Sequence, residues 1–253
     1  MEQLEKHVVH SQDPPLSARL EPFDSYWQGP KNVENGYRSF KQFYRSNYLK
    51  HFPEDREAQI LIVSCGPGYL VDLLREQRYN NVLGIDSDPR KIEYALKRGL
   101  NCQVADAFSF LRDKETAYDL ILCEQELNHL TKEEMVQWLH MCWRSLRPGA
   151  TLIVYGLNGA NPITGPDATA QNFDHFNTFT ESSLTQVLEL TRFEAIRPIP
   201  LQLYVFYKNP LNYVGLLVTG ALHLTFRILF KIYGKSNSIF TKKLAAVCKR
   251  PTV

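Results

Sequence analysis

The stretch from Gln59 to Asp86 constrains this chain more than any other. Gln59-Ile-Leu-Ile-Val63 is an apolar run with the length and β-branched content of a strand buried on both faces. Ser64-Cys-Gly-Pro-Gly68 reads as a tight turn feeding a helix through Leu70, Val71, Leu73 and Leu74, and Asn81-Val-Leu-Gly-Ile85 as a second strand ending at Asp86-Ser-Asp88. Strand, Gly-rich turn, helix, strand and acid, in that order, present backbone N–H groups and a helix start to a nucleotide-like ligand and a carboxylate to its ribose hydroxyls. Asp86 follows Gly68 by 18 residues, so both reach one crevice. A dinucleotide site asks for a third glycine where this chain has Val71, which argues against a nicotinamide oxidoreductase.

The alternation continues. Pro89 suits the first turn of a helix whose apolar side is Ile92, Ala95 and Leu96. Cys102-Gln-Val104, Tyr118-Asp-Leu-Ile-Leu122 and Thr151-Leu-Ile-Val-Tyr155 read as strands three to five, with a helix over 132–146 and a turn at Arg147-Pro-Gly149. Residues 157–173 read as a long loop without a burial pattern, of a length more often functional than idle. Thr180 starts a helix as N-cap, residues 193–203 form a sixth strand, and Leu244-Ala-Ala-Val-Cys248 a last, antiparallel one. The expected fold is α/β, a mostly parallel seven-stranded sheet with helices on both faces. Ahead of it, Tyr37, Phe40, Phe43, Tyr44 and Tyr48 recur as one helical face. With Phe23-Asp-Ser-Tyr-Trp27 they belong to an N-terminal cap over 1–57. The core then covers 58–203, an insertion 204–241, and the last strand with the C-terminus 242–253.

Over residues 58 to 155, and less closely to 195, the chain resembles the class I S-adenosylmethionine-dependent methyltransferases of the type 11/12 kind, which have a Rossmann-like fold. The resemblance lies in Leu61-Ile-Val-Ser-Cys-Gly-Pro-Gly68, Gly84-Ile-Asp86, Ala105-Asp-Ala-Phe108, Tyr118-Asp-Leu-Ile-Leu122 and Leu146-Arg-Pro-Gly-Ala-Thr-Leu-Ile153. It implies S-adenosyl-L-methionine as cofactor, with Ser64, Cys65, Gly66, Pro67 and Gly68 beside its methionine and ribose portions. Asp86, with Ser87 next to it, binds the ribose diol; Asp106 contacts the adenine amino group, and Ala107 and Phe108 pack on the ring. Separately from the resemblance, Glu124 or Glu126, after the fourth strand, is a candidate for contact on the cofactor side. Family members commonly carry an acid where this chain has Ile62 and a glycine where it has Ser64.

Methyl transfer from a sulfonium is an in-line displacement, so the protein must align the acceptor and exclude water, and an oxygen nucleophile needs a base. His129 and His175 are the candidates, with Asp174, Asn128 and Asn177 orienting the base or the acceptor. Glu124-Gln-Glu-Leu-Asn-His-Leu130, Phe173-Asp-His175 and Phe179-Thr-Glu-Ser-Ser-Leu184 are similar to a bacterial subgroup associated with capsule, O-antigen and other polysaccharide biosynthesis, which implies a sugar O-methyltransferase. In that subgroup a glutamate often stands where this chain has Asn128.

Charge is unevenly spread. Residues 1–194 hold 20 Lys or Arg against 27 Asp or Glu, and residues 195–253 hold nine Lys or Arg and no acid. A basic tail faces something anionic, such as a phosphate-bearing acceptor or a membrane surface. Within it, Asn209 to Phe226 carries no formal charge and is rich in Leu and Val, the composition of an interfacial helix or of a hydrophobic lid. The acidic body argues against a nucleic-acid substrate. Five cysteines without a CxxC pair indicate reduced, packed thiols, and no metal-ligand cluster is visible. The N-terminus has no apolar targeting run, so a cytoplasmic location, at the inner face of a membrane, is expected. Two further readings stay open: a small-molecule O- or N-methyltransferase using the insertion as a pocket lid, and a non-catalytic lipid- or protein-binding relative.

Overall fold

The computed structural model describes residues 30–170, 175–202 and 211–252. The aromatic stretch at 23–27 and the candidate Asp174 lie outside the described residues. Helix α1 (Pro30–Asn47) precedes β1 (Ile60–Val63), α2 (Tyr69–Glu76), β2 (Val82–Asp86), α3 (Pro89–Lys97), β3 (Cys102–Val104), α4 (Ala107–Leu111) and β4 (Tyr118–Glu126). Then come α5 (Lys132–Ser145), β5 (Leu146–Leu157), α6 (Gly165–Ala170), α7 (Glu181–Leu190), β6 (Glu194–Leu201), α8 (Leu211–Ile232) and β7 (Lys243–Lys249).

The strands form one sheet in the order β3-β2-β1-β4-β5-β7-β6. The first five pair in parallel, and β7 lies antiparallel between β5 and β6. This is the class I Rossmann-like arrangement. Each central strand is buried on both faces, and alternate residues serve opposite layers. Ile60, Ile62, Leu120 and Leu122 pack with α1, α2 and α3, whereas Leu61, Val63, Ile121 and Cys123 pack with α4, α5 and α7. Because β6 runs parallel to β5, the chain leaves for α8 and returns into β7 at the C-terminal edge of the sheet, the edge where open α/β sheets bind ligands.

Local chemistry sets the helix ends. Asp88 caps α3 with Pro89 behind it, and Thr131–Glu134 and Thr180–Ser183 form reciprocal capping boxes on α5 and α7. A glycine at position 84 is demanded by packing: a Cβ there would sit 2.8 Å from both the Cys65 and Cys102 sulfurs and 3.0 Å from Val71. Gly84→Val is therefore expected to lower the unfolding free energy by about 1–3 kcal/mol, read as a shifted urea midpoint with unchanged slope.

Three expectations need correction. Strand β4 does not stop at Leu122 but runs to Glu126, so Glu124 stands on the sheet rather than on a loop after it. Residues 157–173 are not patternless. The amide of buried Asn158 donates to the Ile239 and Thr241 carbonyls, that of Asn161 donates to the Phe240 carbonyl, and α6 follows with Gly165 and Ala168 buried. Leu96 is exposed and leaves Ile92 and Ala95 to hold α3 on the sheet.

Candidate active site

The turn after β1 is shaped by three positive φ angles, at Ser64 (55°), Gly66 (55°) and Gly68 (82°). Gly66 and Gly68 adopt this backbone without the Cβ penalty that Ser64 bears. A Cβ at Gly68 would come within 2.8 Å of Leu100, so that glycine lets the turn close on α3 and β3, whereas one at Gly66 would meet nothing within 4 Å. Backbone that must be approached closely from one side and packed from the other has this form.

Asp86, at the end of β2, is nearly buried. Its Oδ2 accepts from the Gly66 N–H at 2.8 Å and its Oδ1 from the Asp88 N–H at 2.9 Å. The carboxylate thus braces the turn after β1 against the loop after β2. Ser87 beside it is exposed. Asp106 is the N-cap of α4, its Oδ1 accepting from the Ser109 N–H at 2.8 Å, and half-buried Ala107 and Phe108 open that helix. Cys65 and Cys123 are buried packing groups. The hydrogen bond between Cys65 and Cys102 raises the Cys65 thiol and lowers that of Cys102.

Helix α1 closes one side of this region through aromatics. Tyr37 donates to the Pro67 carbonyl at 2.5 Å, and Tyr69, the first residue of α2, lies edge-on to Tyr37 at 4.9 Å and stacked on Phe40 at 5.1 Å. Tyr44 donates to Glu124 Oε2, and the Tyr155 hydroxyl donates to the Glu124 carbonyl oxygen. Burial pushes the Glu124 carboxyl up to about 8, the Tyr44 bond opposing this and nearby Asp86 adding to it. Helical spacing put Tyr37 and Tyr44 on one face of a cap helix without marking them as site residues, and no pattern in the sequence singled out Tyr69.

On the acceptor side, His129 ends a 3-10 turn after β4, and His175 follows the segment that hangs from β5. The structure brings the two together, ring centroids 4.6 Å apart and nearly perpendicular. His175 Nδ1 lies 2.6 Å from the Ala168 carbonyl; a carbonyl only accepts, so Nδ1 carries the proton and the lone pair of the neutral ring is on Nε2. Asn128 is fully buried, and neither amide atom has a hydrogen-bond partner among the described residues. Asn177 is turned to structure instead, donating to the Leu130 carbonyl at 2.6 Å.

Residues 60–149 match the methyltransferase domain family. No curated protein sequence matches this chain. Among solved structures, an S-adenosylmethionine-dependent methyltransferase of Archaeoglobus fulgidus is similar at 17% identity and a TM-score of 0.63, over 90% of this chain and 97% of that one. Phosphoethanolamine N-methyltransferase 2 of Haemonchus contortus, in complex with S-adenosyl-L-methionine, is similar at 14% identity and a TM-score of 0.55, over 92% of this chain and 60% of that one. The [4+2]-cyclase SpnF shares the fold at 17% identity and a TM-score of 0.54, over 86% of this chain and 82% of that one, so the fold alone does not fix the chemistry. Residues 60–149 are thus a methyltransferase domain, and the chain around them carries the class I Rossmann-like methyltransferase fold.

Proposed function

We propose that this chain is an S-adenosylmethionine-dependent methyltransferase that O-methylates a sugar hydroxyl of a glycan or lipid-linked glycan precursor, on the cytoplasmic side of a membrane, with a histidine as general base. The reading rests on one juxtaposition: the turn braced by Asp86 and the His129–His175 pair both stand at the C-terminal edge of the sheet. The residues fit the cofactor. The open face of Gly66 lets it lie against the backbone, Asp86 and Ser87 take the ribose side, and Asp106 with Ala107 and Phe108 the adenine side. When bound, it supplies a methyl group on a cationic sulfur, open to displacement by an acceptor oxygen. One histidine takes the hydroxyl proton as the new C–O bond forms, and Tyr37 and Phe40 of α1, with Tyr69 of α2, keep water from the turn.

Helix α8 supports an acceptor presented by a membrane. It is long and apolar enough to cross one, and none of its residues is buried. Leu211, Val214, Leu217, Val218, Leu224 and Ile228 are all more than half exposed, an apolar patch about 26 Å long at 1.5 Å per residue. Thr219 and Thr225 return their hydroxyls to the Gly215 and Ala221 carbonyls, which hides them from an apolar medium. At its C-terminal end, Phe226 and Phe230 pack on Phe240 and Arg227 bonds the Ser238 carbonyl, so the helix is held to the lead-in of β7. Both ends of the insertion return to one sheet edge, which favours a helix lying in the interface over one that crosses. A pocket lid, the competing reading, would bury its apolar side on the site, whereas α8 packs Phe226 and Phe230 on Phe240 and leaves most of its large apolar side chains exposed.

Labelled-methyl incorporation tests the acceptor. Label is expected in lipid-extractable or polysaccharide material; label confined to small water-soluble amines would contradict the sugar reading. The protein is also expected to co-float with vesicles containing anionic lipid. Leu217→Glu combined with Ile228→Glu should weaken that binding by more than about 100-fold, since each side chain contributes roughly 1.5–3 kcal/mol when buried. Undiminished flotation of the double variant would remove α8 as the contact.

A further inference from the structure

Resting on the cofactor assignment above, we propose that Glu124 is the counter-ion for the cationic end of S-adenosylmethionine, held by Tyr44, and that cofactor binding expels the carboxyl proton. The cofactor brings two positive charges, a sulfonium and an ammonium, into a cleft closed on one side by aromatics. A cation there needs a carboxylate with an oxygen to spare. Strand β1 provides none, because Ile60 to Val63 are all apolar and buried. Asp86 accepts from two backbone N–H groups and keeps its remaining lone pairs for the ribose hydroxyls in the reading above, and Asp106 is exposed and caps α4. Glu124 differs. Its Oε2 accepts from Tyr44, while its Oε1 is shielded from solvent and has no hydrogen-bond partner among the described residues.

Its placement is also suitable. Val63 with Cys123 is the last pair of β1 and β4, Glu124 follows it, and the bond from Tyr44 puts its carboxyl beyond the end of β1 on the side that α1 covers. Among the described residues, the groups facing it are Tyr44 from α1, Cys65 of the turn, Tyr69 from α2, Asp86 from β2, Cys102 from β3 and Tyr155 from β5. No cation is among them. The carboxyl therefore stays protonated up to about pH 8, and a bound cation supplies the missing partner that favours its ionised form. Below that pH, binding and loss of one proton are linked. A carboxyl that remains neutral until a cation arrives discriminates for a cationic ligand without holding a buried charge in the free protein.

Calorimetry at pH 7 in two buffers of different ionisation enthalpy counts the protons released. Wild-type protein is expected to release close to one proton on binding S-adenosylmethionine, with affinity rising toward pH 8 and levelling above it. Glu124→Gln keeps the size of the side chain and a partner for Tyr44. It should release none and bind about 10- to 100-fold more weakly, the range for losing a hydrogen bond to a charged group. S-adenosylhomocysteine carries the ammonium but not the sulfonium. Equal weakening for both ligands places Glu124 at the ammonium, and weakening for S-adenosylmethionine alone places it at the sulfonium. Tight wild-type binding without proton release, and unchanged in Glu124→Gln, overturns the proposal and leaves the cofactor assignment standing. Failure of the wild-type protein to bind either ligand removes the assignment itself and the proposal with it. A ligand-free measurement accompanies these: a carboxyl raised in the fold binds its proton more tightly than in the unfolded chain, so stability falls as pH rises from the ordinary carboxyl range through about 8. Glu124→Gln should flatten that fall, and an unaltered slope would show that Glu124 is not protonated there.

Discussion

Asp86→Ala is expected to weaken binding of S-adenosylmethionine and S-adenosylhomocysteine by about 100-fold or more. The two carboxylate hydrogen bonds, to the Gly66 and Asp88 N–H groups, each contribute about 1.5–3 kcal/mol when the acceptor is charged and shielded. Their loss frees a turn already held at positive φ by three successive requirements and takes away the acceptor for the ribose hydroxyls. Part of the effect falls on the fold, so the urea midpoint should drop along with affinity. Asp86→Asn separates the two contributions: it keeps one acceptor oxygen but sets an NH2 group against an N–H donor, and is expected to fall between wild type and alanine in both measurements. Wild-type affinity in Asp86→Ala would mean that the brace is structural decoration at this site.

The second large effect is expected at the histidine pair. His175→Ala should lower kcat by about 100- to 10,000-fold, the usual contribution of a positioned general base. The Ala168 carbonyl fixes the tautomer of His175 and directs Nε2 as the basic nitrogen, with the His129 ring packed against it. His129→Ala is expected to be deleterious through loss of this packing, and less so if His175 is the base. Cofactor affinity should be unchanged in both, because neither ring belongs to the Gly66–Asp86 side. Added imidazole distinguishes a missing base from a displaced loop: partial recovery of His175→Ala with imidazole supports the base. A wild-type kcat in this variant rules the role out.

Much of the sheet was legible because its physical signature is local. Parallel strands covered on both faces read as unbroken apolar runs, and the turn glycines and helix caps punctuate them, so β1 to β3 fall where Ile60, Val82 and Cys102 place them. Strand β4 was cut short since Glu124, Gln125 and Glu126 end the apolar run, yet backbone pairing carries the strand through Glu126 opposite Tyr155. Helix α8 was legible as an apolar stretch but not in extent, since Arg227 and Lys231 interrupt the pattern without breaking the helix. What sequence could not show were contacts between distant segments. Tyr44 and Glu124 belong to elements far apart in the chain, and neither periodicity nor spacing links them. The same holds for His129 and His175, named separately as candidates and joined only by the fold. Asn158 and Asn161 look like loop residues until the lead-in to β7 passes beside them.

Whether the turn between β1 and α2 receives S-adenosylmethionine is decided by calorimetric titration of the wild-type protein with S-adenosylmethionine, S-adenosylhomocysteine and NAD. Both sulfur ligands are expected to bind in the micromolar range at one site per chain, and NAD not to bind. Binding of NAD with neither sulfur ligand, or of none of the three, would contradict that placement of the cofactor.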